Sequence, residues 1–136
     1  MKNLFYLFLV LSILGSCAVK EKATKATVAM KKEASKKQLR HVVMFKFKES
    51  STDVDIQKVE NAFAALPSKI AAISDFEWGT NNNPEGLNKG FTHVFLVSFN
   101  TEADREIYLP HPAHKAFVEV LSPHMEDVIV MDYWSL

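Results

Sequence analysis

Alternating apolar and polar positions mark four segments of the chain, and each segment predicts a β-strand. They cover residues 39–47, 73–79, 91–99 and 127–134. The second segment is the most polar of the four and predicts a more exposed strand. The third, FTHVFLVSF, is apolar on both faces, which predicts a central strand that is covered on two sides.

A helical pattern follows the first strand. Residues 50–53, with the sequence SSTD, form a helix-start cluster. Beyond it, apolar residues recur at intervals of three and four positions, at Ile56, Val59, Phe63, Leu66 and Ile70. Pro67 lies inside this pattern, so we expect it to end or kink the helix.

A second helical region lies between the third and fourth strands and is interrupted by two prolines. Thr101, with Asp104 three residues later, predicts a short capped helix, which Pro110 ends. Pro112 suits the first position of a new helix over residues 112–121, because that position needs no backbone N–H.

The predicted order is β-α-β-β-α-β, the ferredoxin-like arrangement of the α+β class, in which helices cover one face of a four-stranded antiparallel sheet. The other face is then open, and we expect it to carry Val43, Phe45, Phe95 and Val97. A face of this composition is too apolar to remain in water. The sequence therefore predicts a homodimer, in which a second copy covers the open face.

The N-terminus has the pattern of a bacterial lipoprotein signal. Lys2 precedes an apolar run of eleven residues at 4–14, which is too short to span a bilayer. The run ends in LGSC at 14–17, which resembles the lipobox, whose cysteine receives a diacylglyceryl group before the signal is cleaved. We therefore predict a signal peptide over residues 1–16 and lipidation of Cys17. The alternative is an ordinary secretory signal with a chance cysteine.

These features predict a lipid-anchored protein of the bacterial cell envelope. Ala18 follows the cysteine where Asp would be expected for inner-membrane retention, which favours the outer membrane in a Gram-negative cell. Residues 17–38 are rich in Ala, Lys, Thr and Ser without an apolar stripe, and predict a basic, flexible tether. Its lysines either attract anionic headgroups or only keep the spacer soluble.

The charge of the chain is unevenly distributed. Residues 18–40 carry eight Lys and Arg against two acids, a net charge of +6, whereas residues 41–136 carry seven against fourteen, a net charge of −7. An acidic domain argues against nucleic acid as a partner, because phosphate binding needs a basic surface. The single cysteine excludes an internal disulfide and a CxxC metal site.

Two histidines share the aromatic faces of predicted central strands. His41 lies in the first strand and His93 in the third, and these two strands are neighbours in a ferredoxin-like sheet. Two imidazoles beside one apolar cavity would make a plausible ligand site. The alternative is that both are hydrogen-bonded histidines of the core.

A second pair of candidates lies around the interrupted helix. His114 falls in the first turn after Pro112, where the helix dipole disfavours a positive charge and lowers the pKa of the imidazole. A neutral imidazole suits a general base, and the Tyr108 hydroxyl would stabilise the enolate formed by proton removal. The alternatives are that His114 caps or packs the helix and that Tyr108 is a core aromatic residue.

The histidines of the interrupted helix could also form a metal site. His111 and His114 are three residues apart, but no well-spaced carboxylate completes a ligand set, so no metal is predicted. The chain has no Gly-rich phosphate loop and no GxSxG segment, and no cofactor is predicted either.

Several of these segments together resemble the stress-responsive dimeric α/β-barrel (Dabb) family. The opening strand RHVVMFKFK at 40–48, GFTH at 90–93, YLPHPAH at 108–114 and the last strand are similar to the motifs of that family. The resemblance spans residues 39–136 and implies two ferredoxin-like subunits whose sheets form a barrel.

The resemblance also implies site residues. A plant polyketide cyclase of the family uses a Tyr and a His of the YxxHPxH segment, which correspond to Tyr108 and His114. His41 and His93 then correspond to lining residues, and His111 also matches the motif. Pro110 departs from many relatives and is expected to reshape the rim of the pocket.

Three functions remain open at this point. The first is an envelope lipoprotein whose dimeric domain binds a small apolar ligand, in a stress response. The second is an enzyme that abstracts a proton, similar to a polyketide cyclase or a monooxygenase. The third is a structural dimer whose barrel is filled by side chains. A cavity in which polar groups converge would favour the first two.

Overall fold

The computed structural model describes residues 37–136. The predicted signal peptide, the lipidation of Cys17 and nearly all of the predicted tether lie outside the described residues. No helix within residues 37–136 is long and apolar enough to cross a membrane.

Four strands and three helices follow one another in the predicted order, with the second helical region divided in two. The strands are β1 (Leu39–Phe47), β2 (Asp75–Thr80), β3 (His93–Phe99) and β4 (Met125–Trp134). The helices are α1 (Asp53–Ala64), α2 (Glu102–Tyr108) and α3 (Pro112–Leu121). Thr52 and Thr101 cap α1 and α2 with complete capping boxes, as the sequence predicted for Thr101.

The strands form one four-stranded sheet in the order β2-β3-β1-β4, and all three pairings are antiparallel. This arrangement confirms the predicted ferredoxin-like fold of the α+β class. It also confirms that β1 and β3 are neighbours at the centre of the sheet. In their register His41 lies opposite Val97, and Phe45 lies opposite His93.

The core lies between the helices and one face of the sheet. Phe63 of α1 stacks on Phe95 of β3, with ring centroids 4.2 Å apart, and Phe45 and Phe117 complete an aromatic cluster. Each of these side chains is at most 4% exposed. Burial of such a side chain stabilises the fold by about 1.5–3 kcal/mol, so this cluster contributes several kcal/mol to the packing of the helices on the sheet.

The first helix ends earlier than the apolar pattern suggested. It stops at Ala64, and the backbone N–H of Leu66 donates to the carbonyl of Phe63 in a tight turn. The cause is Pro67, which disfavours helical geometry in the residue before it. Leu66 and Ile70 are nevertheless buried, at 1% exposure, because the turns after the helix keep them over the sheet.

The assignment of residues to the open face was wrong. Val43, Phe45, Phe95 and Val97 are buried beneath the helices. The open face carries the alternate residues of the same strands, together with β4: Val42, Met44, Val94, Leu96, Ile129 and Met131. The period of two shows which residues share a face, but the chain connections decide which face the helices cover.

Candidate functional site

An apolar hollow of about 280 Å³ lies between the helices and the β1–β4 side of the sheet. Its walls are aliphatic and aromatic side chains from β1, α1, α3 and β4, with Leu109: Val43, Phe45, Phe63, Leu109, Phe117, Val118, Leu121, Met125, Val128 and Val130. The walls also include three polar side chains that the sequence had singled out, those of His41, Tyr108 and His114. We call this hollow the β1–β4 pocket.

The break between α2 and α3 creates the environment of His114. Pro112 has no backbone N–H, and the N–H of Ala113 donates to the His111 side chain, so neither bonds to the carbonyl of Leu109. That carbonyl instead lies 3.0 Å from His114 Nδ1. A carbonyl only accepts, so Nδ1 carries the proton and donates it. The neutral ring therefore has an unprotonated Nε2.

Burial holds the pKa of His114 below its ordinary value of 6.5. The hydrogen bond to Leu109 acts in the opposite direction, and the nearby His41 and His111 lower the pKa further. The direction agrees with the sequence argument, although that argument attributed it to the helix dipole rather than to burial. Near neutral pH His114 is consequently an uncharged base.

Tyr108 lies between the two other polar residues of the pocket. Its ring centroid is 4.4 Å from that of His114 and 5.8 Å from that of His41. The residue is 1% exposed, and burial raises the pKa of its hydroxyl above the usual value. Tyr108 therefore remains a protonated phenol, able to donate a hydrogen bond, throughout the physiological pH range.

His41 has a fixed hydrogen-bond partner on the neighbouring strand. Its Nδ1 lies 2.6 Å from Oδ1 of Asp132, the residue directly opposite it in β4. The other carboxylate oxygen, Oδ2, accepts from Nη1 of Arg105 in α2 at 2.9 Å. A carboxylate accepts hydrogen bonds, so Nδ1 of His41 carries the proton, and in the neutral ring Nε2 is left as an acceptor.

His93 does not join this group. It shares the helix-covered face with His41 but lies four positions along the sheet, about 13 Å away. Both ring nitrogens are engaged, Nδ1 with the Thr92 hydroxyl at 2.8 Å and Nε2 with Glu60 at 2.9 Å. A separate hollow of about 400 Å³ beside α1 includes His93 in its walls, but it is open, and about half of its lining is polar. The structure thus places His93 outside the β1–β4 pocket.

His111 is the N-cap of α3. Its Nδ1 accepts the backbone N–H of Ala113 at 3.1 Å, and its carbonyl accepts the N–H of Lys115. This side chain satisfies a helix terminus rather than lining the pocket. Within residues 37–136, no group of His, Cys, Asp and Glu side chains is arranged to hold a metal ion.

Sequence reasoning missed Asp132 and Arg105. An acid within the otherwise apolar strand VIVMDYW is an unusual feature, and pairing β4 with β1 places it opposite His41. That signal was available once the ferredoxin-like order was predicted. Arg105 gave no comparable signal, because its partner is 27 residues away in sequence and on another element.

The model of the stress responsive A/B barrel domain, Dabb, matches residues 39–135. The chain belongs to this family. The Dabb domain therefore includes every residue of the β1–β4 pocket, as the resemblance in the sequence predicted.

Two relatives and one solved structure show how this Dabb domain compares with others. Stress-response A/B barrel domain-containing protein HS1 of Arabidopsis thaliana is 30% identical over 101 residues, 74% of this chain and 93% of that protein. Olivetolic acid cyclase of Cannabis sativa is 27% identical over 95 residues, 70% of this chain and 94% of that protein.

The solved structure is a dimeric protein of unknown function with a ferredoxin-like fold from Bacteroides fragilis. It is 29% identical, with a TM-score of 0.59, and the match covers 71% of this chain and 94% of that one. Because these matches take in more than nine-tenths of each relative, the Dabb region corresponds to an entire folded protein in them.

Proposed function

We propose that the β1–β4 pocket binds a small, mainly apolar carbonyl compound and that His114 removes a proton from the carbon next to its carbonyl. One observation carries the proposal. The Nδ1–H of His114 is committed to Leu109, which leaves Nε2 unprotonated in a half-buried ring that adjoins the Tyr108 phenol. A base and a hydrogen-bond donor therefore stand together in an apolar hollow.

The proposed step is a reversible enolisation. His114 Nε2 takes the proton from the carbon, and the electron pair of the broken C–H bond moves into the carbonyl, which becomes an enolate oxygen. The Tyr108 hydroxyl donates a hydrogen bond to that oxygen and stabilises its charge. Return of a proton from the imidazolium to carbon regenerates the carbonyl compound and the neutral base.

The walls of the pocket define the class of ligand. They are almost entirely hydrocarbon, and the few polar groups cluster on the side of α2, α3 and the start of β1. An apolar ligand gains affinity by displacing water from such walls, while the polar groups fix its orientation. The similarity to olivetolic acid cyclase, a relative that is named as an enzyme, supports catalysis by a domain of this family.

Ligand binding without turnover is the second candidate, because the same apolar walls suit a carrier. Both candidates are tested by incubating the protein in D₂O with a panel of methyl ketones of increasing alkyl length and with acetophenone. Proton NMR then measures the loss of the α-proton signal. Faster exchange than with an equal concentration of imidazole supports enolisation, whereas saturable binding without exchange would leave only the carrier function. Neither binding nor exchange across the panel contradicts both.

The exchange rate is expected to rise with pH, with a midpoint below pH 6.5. The reason is that the neutral form of His114 is the base, and burial holds the pKa of His114 below its ordinary value of 6.5. As the pH falls through the lowered pKa, the imidazole is protonated and the rate declines. A rate profile measured from pH 4 to 8 checks this, and a midpoint at or above that of free histidine would contradict the assignment of the base.

We further propose that the protein is a homodimer and a lipid-anchored protein of the bacterial envelope. The homodimer is supported by the dimeric state of the Bacteroides fragilis relative and by the apolar open face. The lipid anchor is supported by the signal-like sequence of residues 1–17.

Replacement Cys17→Ser is expected to abolish lipid attachment and to release the protein from the membrane fraction. A diacyl anchor contributes about 0.8 kcal/mol for each buried methylene, so loss of the lipid removes a large part of the affinity for the membrane. Metabolic labelling with a fatty acid, followed by fractionation, measures both effects. Ser16→Ala, which keeps a small residue before the cysteine, is the matched control. A Cys17→Ser protein that still carried the lipid label and stayed with the membrane would show that the lipobox interpretation is wrong.

A further inference from the structure

Asp132 links two side chains from different elements, and each carboxylate oxygen serves one of them. Oδ1 lies 2.6 Å from His41 Nδ1, and Oδ2 lies 2.9 Å from Arg105 Nη1. The side chains of Arg105 and Asp132 are 24% and 33% exposed, whereas that of His41 is only 8% exposed. Arg105 and Asp132 are therefore partly exposed to solvent, whereas His41 lies in the wall of the β1–β4 pocket.

The position of Asp132 makes its carboxylate easy to displace. β4 is an edge strand, and the residues on either side of Asp132, Met131 and Tyr133, are about half exposed. A carboxylate at such a position competes for water and samples several rotamers unless a partner fixes it. Within residues 37–136, the only side chains that contact its oxygens are those of His41 and Arg105.

We propose that Arg105 is a positioning residue, which fixes the Asp132 carboxylate against His41 Nδ1 and so keeps Nε2 of His41 as an unprotonated acceptor in the β1–β4 pocket. The inference rests on the proposed function, because it concerns the same pocket. Arg105 is not among the residues that line the pocket, and it acts only through Asp132.

The consequence for the pocket follows from the two forms of a neutral imidazole. With Asp132 in place, Nδ1 holds the proton, and the ring presents an acceptor beside Tyr108, whose ring centroid is 5.8 Å away. When the Asp132 carboxylate is displaced, the proton can move from Nδ1 to Nε2 of His41, and the ring then presents a donor instead of an acceptor. A donor and an acceptor orient a bound carbonyl compound differently, so the tautomer of His41 affects both binding and proton transfer.

The Arg105 guanidinium donates to Asp132 from a single nitrogen, Nη1, and to a single oxygen, Oδ2. A lysine ammonium at the same position can therefore replace it as a charged donor, although it lacks the planar fork. Methionine preserves the length and the apolar stem of the side chain but removes the charge. Comparison of these two substitutions separates charge from packing.

The test is nitrogen-15 NMR of the Dabb domain, residues 37–136, which corresponds to a whole protein in the relatives. In the wild-type domain without ligand, His41 is expected to show the pattern of a ring protonated at Nδ1 alone. In Arg105→Met, a population protonated at Nε2 is expected to appear, and Arg105→Lys should restore the wild-type pattern. The ketone exchange rate should fall about tenfold in Arg105→Met, an effect at the lower end of that seen when the outer hydrogen-bond partners of metal-ligating histidines are removed.

Lys58→Met is the matched control. Lys58 forms an ion pair with Asp55 on α1 at 3.1 Å, and neither residue lines the β1–β4 pocket. Loss of the Lys58 ammonium should change neither the His41 tautomer nor the exchange rate. If Arg105→Met does not fold, Arg105→Gln serves in its place.

Two results would overturn the proposal. One is an unchanged His41 tautomer in Arg105→Met, even if the melting temperature drops, because the ion pair would then only tie α2 to β4. The other is a changed tautomer that Arg105→Lys fails to restore, because packing of the stem would then hold Asp132. The NMR result needs no ligand, so a tautomer shift without any ketone exchange in the wild type would support Arg105 and contradict only the proposed function.

Discussion

Replacement of His114 by asparagine is expected to reduce ketone α-proton exchange by about 10²–10⁴-fold, which is the usual contribution of a positioned general base. The asparagine amide nitrogen lies where Nδ1 of the imidazole lies, so it can still donate to the Leu109 carbonyl. What the substitution removes is Nε2, the proposed base. The measurement is the exchange rate in D₂O, together with the melting temperature of both proteins.

The fold should survive this change, because the Leu109 carbonyl keeps a donor. His114→Ala, by contrast, loses this solvent-exposed hydrogen bond and is expected to destabilise the domain by about 0.5–1.5 kcal/mol. Tyr108→Phe should lower the exchange rate by about 10²–10³-fold through loss of the donor to the enolate oxygen.

The matched control is His111→Asn, which keeps an N-cap side chain on α3 and leaves the pocket intact. Its exchange rate should equal that of the wild type. If His114→Asn kept the wild-type rate, His114 would not be the base. If it lowered the melting temperature sharply but left ligand-induced stabilisation unchanged, the residue would be structural.

Replacement Met131→Glu is expected to convert the domain from a dimer to a folded monomer at micromolar concentration. Met131 is 53% exposed on the open face, opposite Val42, so the substitution costs the single subunit little. In a two-fold dimer each copy would bury one unpaired carboxylate, at a cost of about 3–5 kcal/mol each. The dissociation constant should therefore rise by about 10⁴-fold or more.

Sedimentation velocity on the wild-type and substituted domains measures this change. Ile129→Glu, on the same face, should have the same effect. Val54→Glu is the matched control, because Val54 is 62% exposed on α1, away from the open face, and the dimer should persist. A wild-type domain that sediments as a well-folded monomer would show that no second copy covers the open face.

The sequence determined most of the fold because the signals it uses are local. Capping residues such as Thr101, the breaks at Pro110 and Pro112 and the alternation along each strand all act within a few positions. The same local break places His114 in the first turn of α3, and from that position the sequence predicted a neutral imidazole at residue 114. The order of elements then limited the topology to the ferredoxin-like sheet.

Only the tertiary structure decided which residues meet. Alternation groups Val43 with Phe45 and Val42 with Met44, but it does not say which group faces the helices, and the sequence interpretation chose the wrong one. His41 and His93 share a face and yet lie about 13 Å apart, because register places them at opposite ends of the paired strands.

The hydrogen-bond partners of His41 also depend on how the strands and helices pack in the folded domain. Asp132 reaches His41 only when β4 pairs with β1 in the observed register, and Arg105 reaches Asp132 only when α2 lies over that edge. The sequence thus determined the elements, their order and the residue types available for proton transfer. The contacts of Asp132 with Arg105 and His41, which are 27 and 91 positions away in sequence, depend on packing that local signals do not encode.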